Sequence, residues 1–217
     1  GGTALTAAPI LYPDQNVKPL EDFIPVMTIG GFAFLATVNA ASTAKNMEDL
    51  VALARARGSK FMIGTLPTGT PSQLTAESFR IATGSKATLV PYKGSMQVLT
   101  AILAGEVDVV FESPSMISSH VKSGRLRALG VAQLQRLTEY PDVPTMAERG
   151  LPGFLFQGWV AIVLPRGTPA AVVSRLQAAL EKSWDTPEAR QEMESRGLLH
   201  FAEDASLTAA RMKTDAE

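Results

Sequence analysis

The chain contains no cysteine and only two histidines, His120 and His200, among its 217 residues. The absence of cysteine excludes thiol catalysis, disulfide bonds and cysteine-ligated metal sites. The two histidines lie far apart, and no His-x-x-x-His pair or acidic cluster has the spacing of a metal site. We therefore expect no bound metal and no cofactor.

The chain also lacks an excess of charge and a long apolar run. Its 20 lysines and arginines nearly balance its 21 aspartates and glutamates, and basic tracts are short, which argues against a nucleic-acid partner. The longest apolar runs, residues 32–38 and 159–164, are well short of the roughly 20 residues of a membrane helix. We therefore expect a soluble chain without direct membrane insertion. Its length suits one large domain or two lobes of about 100 residues each, and we favour two lobes.

Strand-like and helix-like patterns alternate along most of the chain. This alternation is typical of βαβ units and predicts a mainly parallel sheet. The helix over residues 74–83 is predicted to bury an apolar stripe at Leu74, Phe79 and Ile81. A connector interrupted by prolines is predicted over residues 138–153. The predicted strands cover residues 32–38, 61–63, 87–91, 107–111, 126–131 and 159–164, and the predicted helices cover residues 47–57, 74–83, 95–104, 117–122, 169–184 and 187–196.

The most informative segment is residues 63–73, where an apolar strand ends in a loop of glycine, threonine and proline before a helix begins. Thr70 fits an N-cap and Pro71 fits the first helical position, so the N–H groups of Ser72 and Gln73 remain free. A free helix N-terminus attracts anions, and the hydroxyl groups of this segment add donors without adding charge. The pattern predicts a neutral binding loop for a carboxylate.

A simple helix cap is the alternative for the same segment. Threonine–proline pairs also begin ordinary helices at Thr168-Pro169 and Thr186-Pro187, so the pair alone indicates only a cap. The first pair differs in its hydroxyl groups, on Thr68, Thr70 and Ser72, and in its position just after a strand, where open α/β sheets commonly bind ligands. The residues alone leave both interpretations open.

Motifs of known catalytic chemistry are absent from the sequence. Gly64 and Gly69 have the spacing of a phosphate-binding P-loop, but Thr70-Pro71 follows where that motif needs lysine and then serine or threonine. No Gly-x-Ser-x-Gly sequence supplies a hydrolase nucleophile. His120 and His200 are interpreted as surface, capping or packing residues. We therefore assign no catalytic residue.

Glu112 and Ser113 follow one predicted strand at its carboxyl end, where ligands meet an open α/β sheet. Three roles remain open for Glu112: a general base, a partner for a ligand ammonium group, or a residue that ends the strand in solvent. The last is the default expectation. Ser113 is the more neutral candidate for a hydrogen bond to a ligand.

Five segments, taken together, resemble the tripartite tricarboxylate transporter substrate-binding proteins, also called Bug receptors. Each segment alone is a weak signal, but their order along nearly the whole chain is specific. They are VPYKGS at residues 90–95, LAGEVD at 103–108, GRLRAL at 124–129, PDVPTMAE at 141–148 and GWVAIVLPRGTP at 158–169.

The resemblance implies an α/β, two-lobed periplasmic binding protein fold of type II, with hinge crossings near Val38-Asn39 and Gln157-Gly158. The first lobe would comprise residues 1–38 and 158–217, and the second residues 39–157. The family's first strand and glycine-rich carboxylate loop are expected to precede Gly1, so the first lobe is expected to be incomplete. The implied function is a monomeric, periplasmic, non-enzymatic receptor. It would bind a small organic carboxylate in the cleft between its lobes and deliver it to the membrane permease of a tripartite transporter.

The resemblance also implies ligand contacts. The family ligand loop corresponds to the binding loop described above, and family members often carry histidine at the position of Gln73. The segment Gly1 to Thr3 resembles the cleft loop after the family's second strand. The implied contacts are Thr3, Thr68, Gly69, Thr70, Ser72, Gln73, Ser113 and Gln157.

Two other functions fit parts of the same pattern. The effector-binding domain of a transcription regulator can share the two-lobed architecture, but it requires a helix-turn-helix segment upstream. A small-molecule enzyme would use Glu112 or His120 as its acid or base.

Overall fold

The computed structural model describes residues 2–195 and 198–216, except for the side chains of Thr3, Ala4 and Ser195. The chain divides into two compact units. Unit 1 comprises Gly1–Phe32 and Gly158–Glu217, and unit 2 comprises Ala33–Gln157.

Unit 1 contains an antiparallel sheet and helices. Along the described part of the chain, two helices precede its first strand, two lie between its second and third strands, and one follows the third. Residue 196, the end of the helix predicted over residues 187–196, lies outside the described residues. The elements of unit 1 are α1 (Gly2–Leu11), α2 (Pro19–Asp22), β1 (Phe23–Phe32), β7 (Gly158–Pro165), α7 (Ala170–Trp184), α8 (Pro187–Ser195), β8 (Leu198–Leu199) and α9 (Ala205–Thr214).

Unit 2 alternates strands and helices as the sequence predicted. Its helices α3 and α5 end at Gly58 and Gly105, whose φ angles of 53° and 75° are readily adopted by glycine. The elements of unit 2 are β2 (Leu35–Asn39), α3 (Met47–Arg57), β3 (Met62–Thr65), α4 (Pro71–Thr83), β4 (Thr88–Pro91), α5 (Ser95–Ala104), β5 (Val109–Glu112), α6 (Pro114–Lys122) and β6 (Leu126–Val131).

The sheet of unit 2 has five strands in the order β4-β3-β5-β2-β6. Strand β3 is parallel to β4 and β5, whereas β2 is antiparallel to β5 and β6. Strands β3 to β6 therefore run in one direction, as predicted, and β2 runs in the other. The sheet is thus mainly parallel, and β2, which the chain enters directly from β1, is its one reversed strand among those described.

The sheet of unit 1 is antiparallel in its described strands, with the order β7-β1-β8. The prediction of a mainly parallel sheet is therefore wrong for this unit. Strands β1 and β7 pair from Phe23↔Pro165 to Phe32↔Gly158. Trp159 in β7 is only 1% exposed. A Cβ atom at Gly2 of α1 would lie 2.1 Å from the Trp159 ring, so the close packing of α1 on β7 requires glycine there.

The strand predicted over residues 32–38 is two strands in the structure. Phe32 pairs with Gly158 in the sheet of unit 1, whereas Leu35 pairs with Glu112 and Val131 in the sheet of unit 2. The change of sheet between these residues places the first division of the chain between Phe32 and Ala33, earlier than the expected crossing at Val38-Asn39. An apolar run without a break gives no signal for such a change of partner.

The two ends of unit 2 lie together. The rings of Phe34 and Phe156 pack edge to face, with centroids 6.1 Å apart. Ala132 bridges them, because its N–H donates to Phe34 O at 2.9 Å and its carbonyl accepts from Phe156 N–H at 3.2 Å. The chain thus enters and leaves unit 2 beside the carboxyl end of β6.

Helix α4 packs on the sheet of unit 2 through a different face from the one predicted. Phe79 is fully buried and lies 5.3 Å from the Phe111 ring of β5, but Ile81 is 71% exposed. The buried face follows the helical period instead, and most of its residues are small or hydroxylated. Its members are Ser72, Thr75, Ala76, Phe79 and Thr83.

Candidate functional site

Three helices of unit 2 begin at the same edge of its sheet. Strands β3, β4 and β5 run in parallel and are adjacent, and each leads directly into a helix: α4, α5 and α6 respectively. We call this side of unit 2 the carboxyl edge. Each helix start presents unpaired N–H groups and the positive end of its dipole there, which favours an anion.

The first turns of α4, α5 and α6 contain no acidic residue. By contrast, the first turn of α3 contains Glu48 and Asp49, which offset the dipole of that helix. The three helix starts at the carboxyl edge are therefore left without a compensating carboxylate in their first turns. They form an electrostatically attractive region built from neutral donors.

The loop before α4 forms the predicted cap. The Thr70 hydroxyl accepts from Gln73 N–H at 3.4 Å and donates to Pro67 O at 2.7 Å. Gly69 has a φ angle of 83°, which favours glycine, and its N–H donates to Gln73 Oε1 at 3.1 Å. The side chain of Gln73 thus folds back over the loop and fixes its shape.

Two of the predicted hydroxyl donors are already engaged within unit 2. Ser72 is 1% exposed and its hydroxyl donates to Phe111 O at 2.9 Å, while the Thr70 hydroxyl donates to Pro67 O. A hydroxyl has one hydrogen to donate, so neither group can give a further hydrogen bond without breaking these. The binding loop offers fewer hydrogen-bond donors than predicted, because Ser72 is buried and the Gln73 N–H, predicted to be free, donates to Thr70 Oγ1. The donors left for a ligand are the Gln73 amide NH₂ and the hydroxyl of the exposed Thr68.

Thr65 is a residue that the sequence analysis did not assign. It is the last residue of β3 and is 1% exposed, and its Oγ1 has no hydrogen-bond partner within the described part of the chain. Buried hydroxyl groups normally form hydrogen bonds, so the end of β3 carries an unsatisfied polar group. A threonine that closes an apolar strand before a glycine-rich loop was the available signal.

Glu112 is buried at the end of β5, with only 4% of its surface exposed. It ends the strand as expected but not in solvent, because it is buried where Leu35 of β2 pairs with it. Burial raises the pKa of the Glu112 carboxyl to about 7, although hydrogen bonds from the Ser113 N–H and the Ser95 side chain act in the opposite direction. Its Oε1 has no hydrogen-bond partner among the described residues.

Ser95 is a second residue that the sequence analysis missed. It is the first residue of α5 and is partly exposed, and its side chain acts with the Ser113 N–H to lower the pKa of the Glu112 carboxyl against the larger effect of burial. Gly94 is the N-cap of α5 and has no side chain to accept from the helix N–H groups. The glycine–serine pair that begins a helix after a short strand was the sequence signal, and it parallels the loop before α4.

Ser113 and Gln157 lie in unit 2, whereas Thr3 lies in unit 1. Ser113 is the N-cap of α6, and its hydroxyl lies 3.0 Å from the Ser115 hydroxyl. Gln157 follows Phe156, which bonds to Ala132 just beyond β6. The structure therefore places residues 68–73 at the start of α4 and Ser113 at the start of α6. Gln157 lies apart from them, close to β6, the edge strand on the opposite side of the sheet from β4.

Thr3 lies within helix α1, not in the loop expected for residues 1–3. Its side chain and the whole of Gly1 lie outside the described part of the structure. The start of this helix packs closely against Trp159 of β7, a long-range contact that the first residues of the sequence do not indicate.

The two histidines do not form a catalytic group with Glu112. His120 Nδ1 lies 2.7 Å from the Arg125 guanidinium, near the end of α6, whereas Glu112 precedes the start of that helix. His200 stacks on Trp184, with ring centroids 5.5 Å apart, and its Nε2 lies 2.9 Å from Trp184 O. Across residues 2–195 and 198–216, no group of three His, Asp or Glu side chains has the geometry of a metal site.

Comparison with solved structures defines the class of protein. A protein described as a periplasmic transporter matches with a TM-score of 0.87 and 26% identity, over 99% of this chain and 72% of its own. The R. palustris protein Rpa4515 with adipate matches with a TM-score of 0.82 and 26% identity, over 92% of this chain and 67% of its own. The predicted α/β fold of the periplasmic binding proteins is confirmed.

The sequence profile of the tripartite tricarboxylate transporter family receptors matches residues 1–216, and the chain belongs to this family. The UPF0065 protein in the TAR-I ttuE-ttuC' intergenic region of Agrobacterium vitis is 32% identical over 96% of this chain. Protein BugT of Bordetella pertussis is 31% identical over 80% of it. The matches cover 60% and 53% of these two relatives, so the chain corresponds to little more than half of their length.

In the described residues, no helix combines the length and the apolar character that crossing a bilayer requires.

Proposed function

We propose that this chain is an extracytoplasmic solute receptor that binds a small organic carboxylate and delivers it to the membrane permease of a tripartite transporter. The observation that carries the proposal is the carboxyl edge of unit 2, where three helix starts without acidic first turns meet. Family membership and the adipate in the structure of a 26% identical relative support a carboxylate as the solute. The receptor acts as a monomer in the periplasm and binds without chemical turnover.

The proposed binding uses neutral donors. The Gln73 amide and the Thr68 hydroxyl bind one carboxylate group at the start of α4, and Ser113 extends the same edge at the start of α6. Neutral donors hold a carboxylate less tightly than a buried arginine would, which suits a receptor that must release its solute. Gly69, with its φ angle of 83° and its N–H bonded to Gln73 Oε1, fixes the turn of the loop rather than donating to the ligand. Thr3 and Gln157 stay predictions that rest on the family resemblance.

Gln73 is proposed to set the ligand preference of the loop. Where family members often carry a titratable histidine, this chain has an amide whose oxygen is occupied by Gly69 N–H at 3.1 Å. Its NH₂ group is therefore oriented as a donor. An amide donor does not change charge with pH, so this position favours an ionised carboxylate at every physiological pH.

The test is calorimetric titration of the purified chain with adipate and with a panel of other dicarboxylates, aromatic acids and amino acids. We expect one class of organic acid to bind, and Thr68→Val and Gln73→Ala each to weaken its binding by about 1–3 kcal/mol. Thr168→Val is the control, because it makes the same substitution just before α7 in unit 1, where the Thr168 hydroxyl donates to Pro165 O at 2.8 Å. Unchanged affinity in both loop variants contradicts the assignment of this loop.

A further inference from the structure

The path of the chain reverses between strands β3 and β5 of unit 2. From β3 the chain passes through α4 to β4 on one side, and from β4 it returns through α5 to β5 on the other side of β3. Crossover connections between parallel strands are right-handed, so α4 covers one face of the sheet while α5 and α6, which contact each other, cover the opposite face. The loops after β3 and β5 thus diverge at a topological switch point, where open α/β sheets bind ligands.

Two buried oxygen atoms without hydrogen-bond partners lie at the ends of these two strands. Thr65 is the last residue of β3 and Glu112 is the last residue of β5, and they are 1% and 4% exposed. Of the three unpartnered side-chain oxygens that are buried in residues 33–157, Thr65 Oγ1 and Glu112 Oε1 are two. Such groups are rare and costly in a folded protein, so two of them at neighbouring strand ends indicate a built polar site.

The two oxygens belong to opposite faces of the sheet. The parallel register of β3 and β5 places Thr65 beside Phe111, which packs on Phe79 of α4. Thr65 therefore lies on the face that α4 covers. Successive side chains of a strand point to opposite faces, so Glu112 lies on the face that α5 and α6 cover. Neighbouring strands are only about 4.8 Å apart, so one small molecule can contact both strand ends.

The two faces offer different hydrogen bonds to a ligand. On the α4 face, the Thr65 hydroxyl can donate to a carboxylate together with the Gln73 amide and the Thr68 hydroxyl. On the other face, a ligand hydroxyl suits Glu112 in either protonation state, because a hydroxyl group both donates and accepts. An ammonium group would suit only the ionised carboxylate and would meet the positive ends of the α5 and α6 dipoles.

We propose that the solute is a 2-hydroxycarboxylate whose carboxylate accepts from Thr65 and whose hydroxyl group bonds to Glu112. Resting on the carboxylate-binding function proposed above, these two contacts name its substrate class. The hydroxyl group is assigned to the carbon next to the carboxylate because the two strand ends are one strand spacing apart. Thr65 and Glu112 are then specificity-determining residues of the receptor.

The experiment is titration calorimetry of the full chain with three series of acids, each made of a plain acid, its 2-hydroxy analogue and its 2-amino analogue. The series are succinate, malate and aspartate; adipate, 2-hydroxyadipate and 2-aminoadipate; and phenylacetate, mandelate and phenylglycine. The variants are Thr65→Val, Glu112→Leu and Glu112→Gln. The control is Thr83→Val, which changes a buried threonine at the opposite end of α4, where its hydroxyl donates to Phe79 O at 2.8 Å.

We expect one series to bind, with the 2-hydroxy acid at least about tenfold tighter than the plain and 2-amino acids. Glu112→Leu should bind the hydroxy and plain acids equally, whereas Glu112→Gln, which can still donate and accept, should keep the preference. Thr65→Val should weaken both acids by about tenfold and keep the preference, and Thr83→Val should change neither. Because the Thr65 hydroxyl has no partner among the described residues, Thr65→Val should unfold in urea at a midpoint no lower than wild type, which a structural role would not allow.

A wild-type preference for the plain or the 2-amino acid overturns this inference, and so does a hydroxyl preference that survives in Glu112→Leu. In each of these outcomes an organic acid still binds, so the receptor function stands. If no acid of the three series or of the wider panel binds, the proposed function fails as well.

Discussion

At the scale of single residues, burial changes the chemistry that a side chain can perform. Glu112 has the sequence context of an ordinary strand end, yet the pairing of β5 with β2 removes it from water. Ser72 has the context of an exposed helix start, yet it is 1% exposed and bonds to Phe111 O. Both residues lie at the carboxyl edge, as their positions in the sequence predicted. Their burial was not predicted.

The raised pKa of Glu112 predicts how stability depends on pH. The folded state holds this proton up to about pH 7, whereas the ordinary pKa of an exposed glutamate is about 4.5. Glu112 therefore contributes about 3 kcal/mol to the free energy of unfolding below pH 4.5. This contribution is lost as the pH rises from 4.5 to about 7. We expect Glu112→Gln to lack this loss and to be more stable than wild type at pH 8.

The measurement is urea unfolding of both proteins at pH 5 and pH 8, followed by far-ultraviolet circular dichroism. The difference between the two proteins isolates Glu112 from Glu148 and Glu203, whose pKa values are lowered and which act with the opposite sign. Equal pH dependence in wild type and variant would show that Glu112 is ionised and solvated in the folded state.

At the scale of elements, the sequence predicted the helices and strands between residues 35 and 184, because those patterns depend on neighbouring residues. It predicted none of α1, α2, β1, β8 and α9. Thr70 caps α4 as predicted, and α5 keeps its predicted bounds, Ser95–Ala104. The face that each helix buries was harder to predict. Helix α4 buries small and hydroxylated residues around Phe79 and exposes Ile81, because its contact with the sheet is close and partly polar.

The hydrogen bond from Ser72 to Phe111 O joins α4 to β5, so its loss should destabilise unit 2. We expect Ser72→Ala to lower the free energy of unfolding by about 1–2 kcal/mol, because it leaves the buried Phe111 carbonyl without this donor. Ser115→Ala, at an exposed position near the start of α6, is the control and should change it by less than about 0.5 kcal/mol. Equal unfolding midpoints in urea for the two variants would mean that this bond carries no net stability.

At the scale of the whole molecule, the two units differ in how the chain builds them. Unit 2 is one continuous segment, Ala33–Gln157, whereas unit 1 is built from two separate segments. The largest fully buried side chains of unit 2, which include Phe61, Phe79 and Phe111, form a core of its own. Its two ends meet at the contact between Phe34 and Phe156.

These features predict that residues 33–157 fold when produced alone. A continuous segment with its own core and adjacent ends has the properties of an independent domain. We expect a cooperative thermal transition by circular dichroism and protection of the β3 and β5 amides from hydrogen exchange, with a free energy of unfolding of at least about 5 kcal/mol. A gradual transition without protected amides would show that unit 2 depends on the rest of the chain.

The sequence alone determined the alternation of strands and helices, the neutral helix start at residues 70–73 and the family, because each of these depends on composition or on residues near one another in the chain. Tertiary structure alone decided the reversed direction of β2, the change of sheet after Phe32, the burial of Glu112 and the bond that occupies the Ser72 hydroxyl. The physical reason is common to all four. Strand partners and burial come from residues distant in sequence, such as Leu35 opposite Glu112, and no local pattern records that pairing.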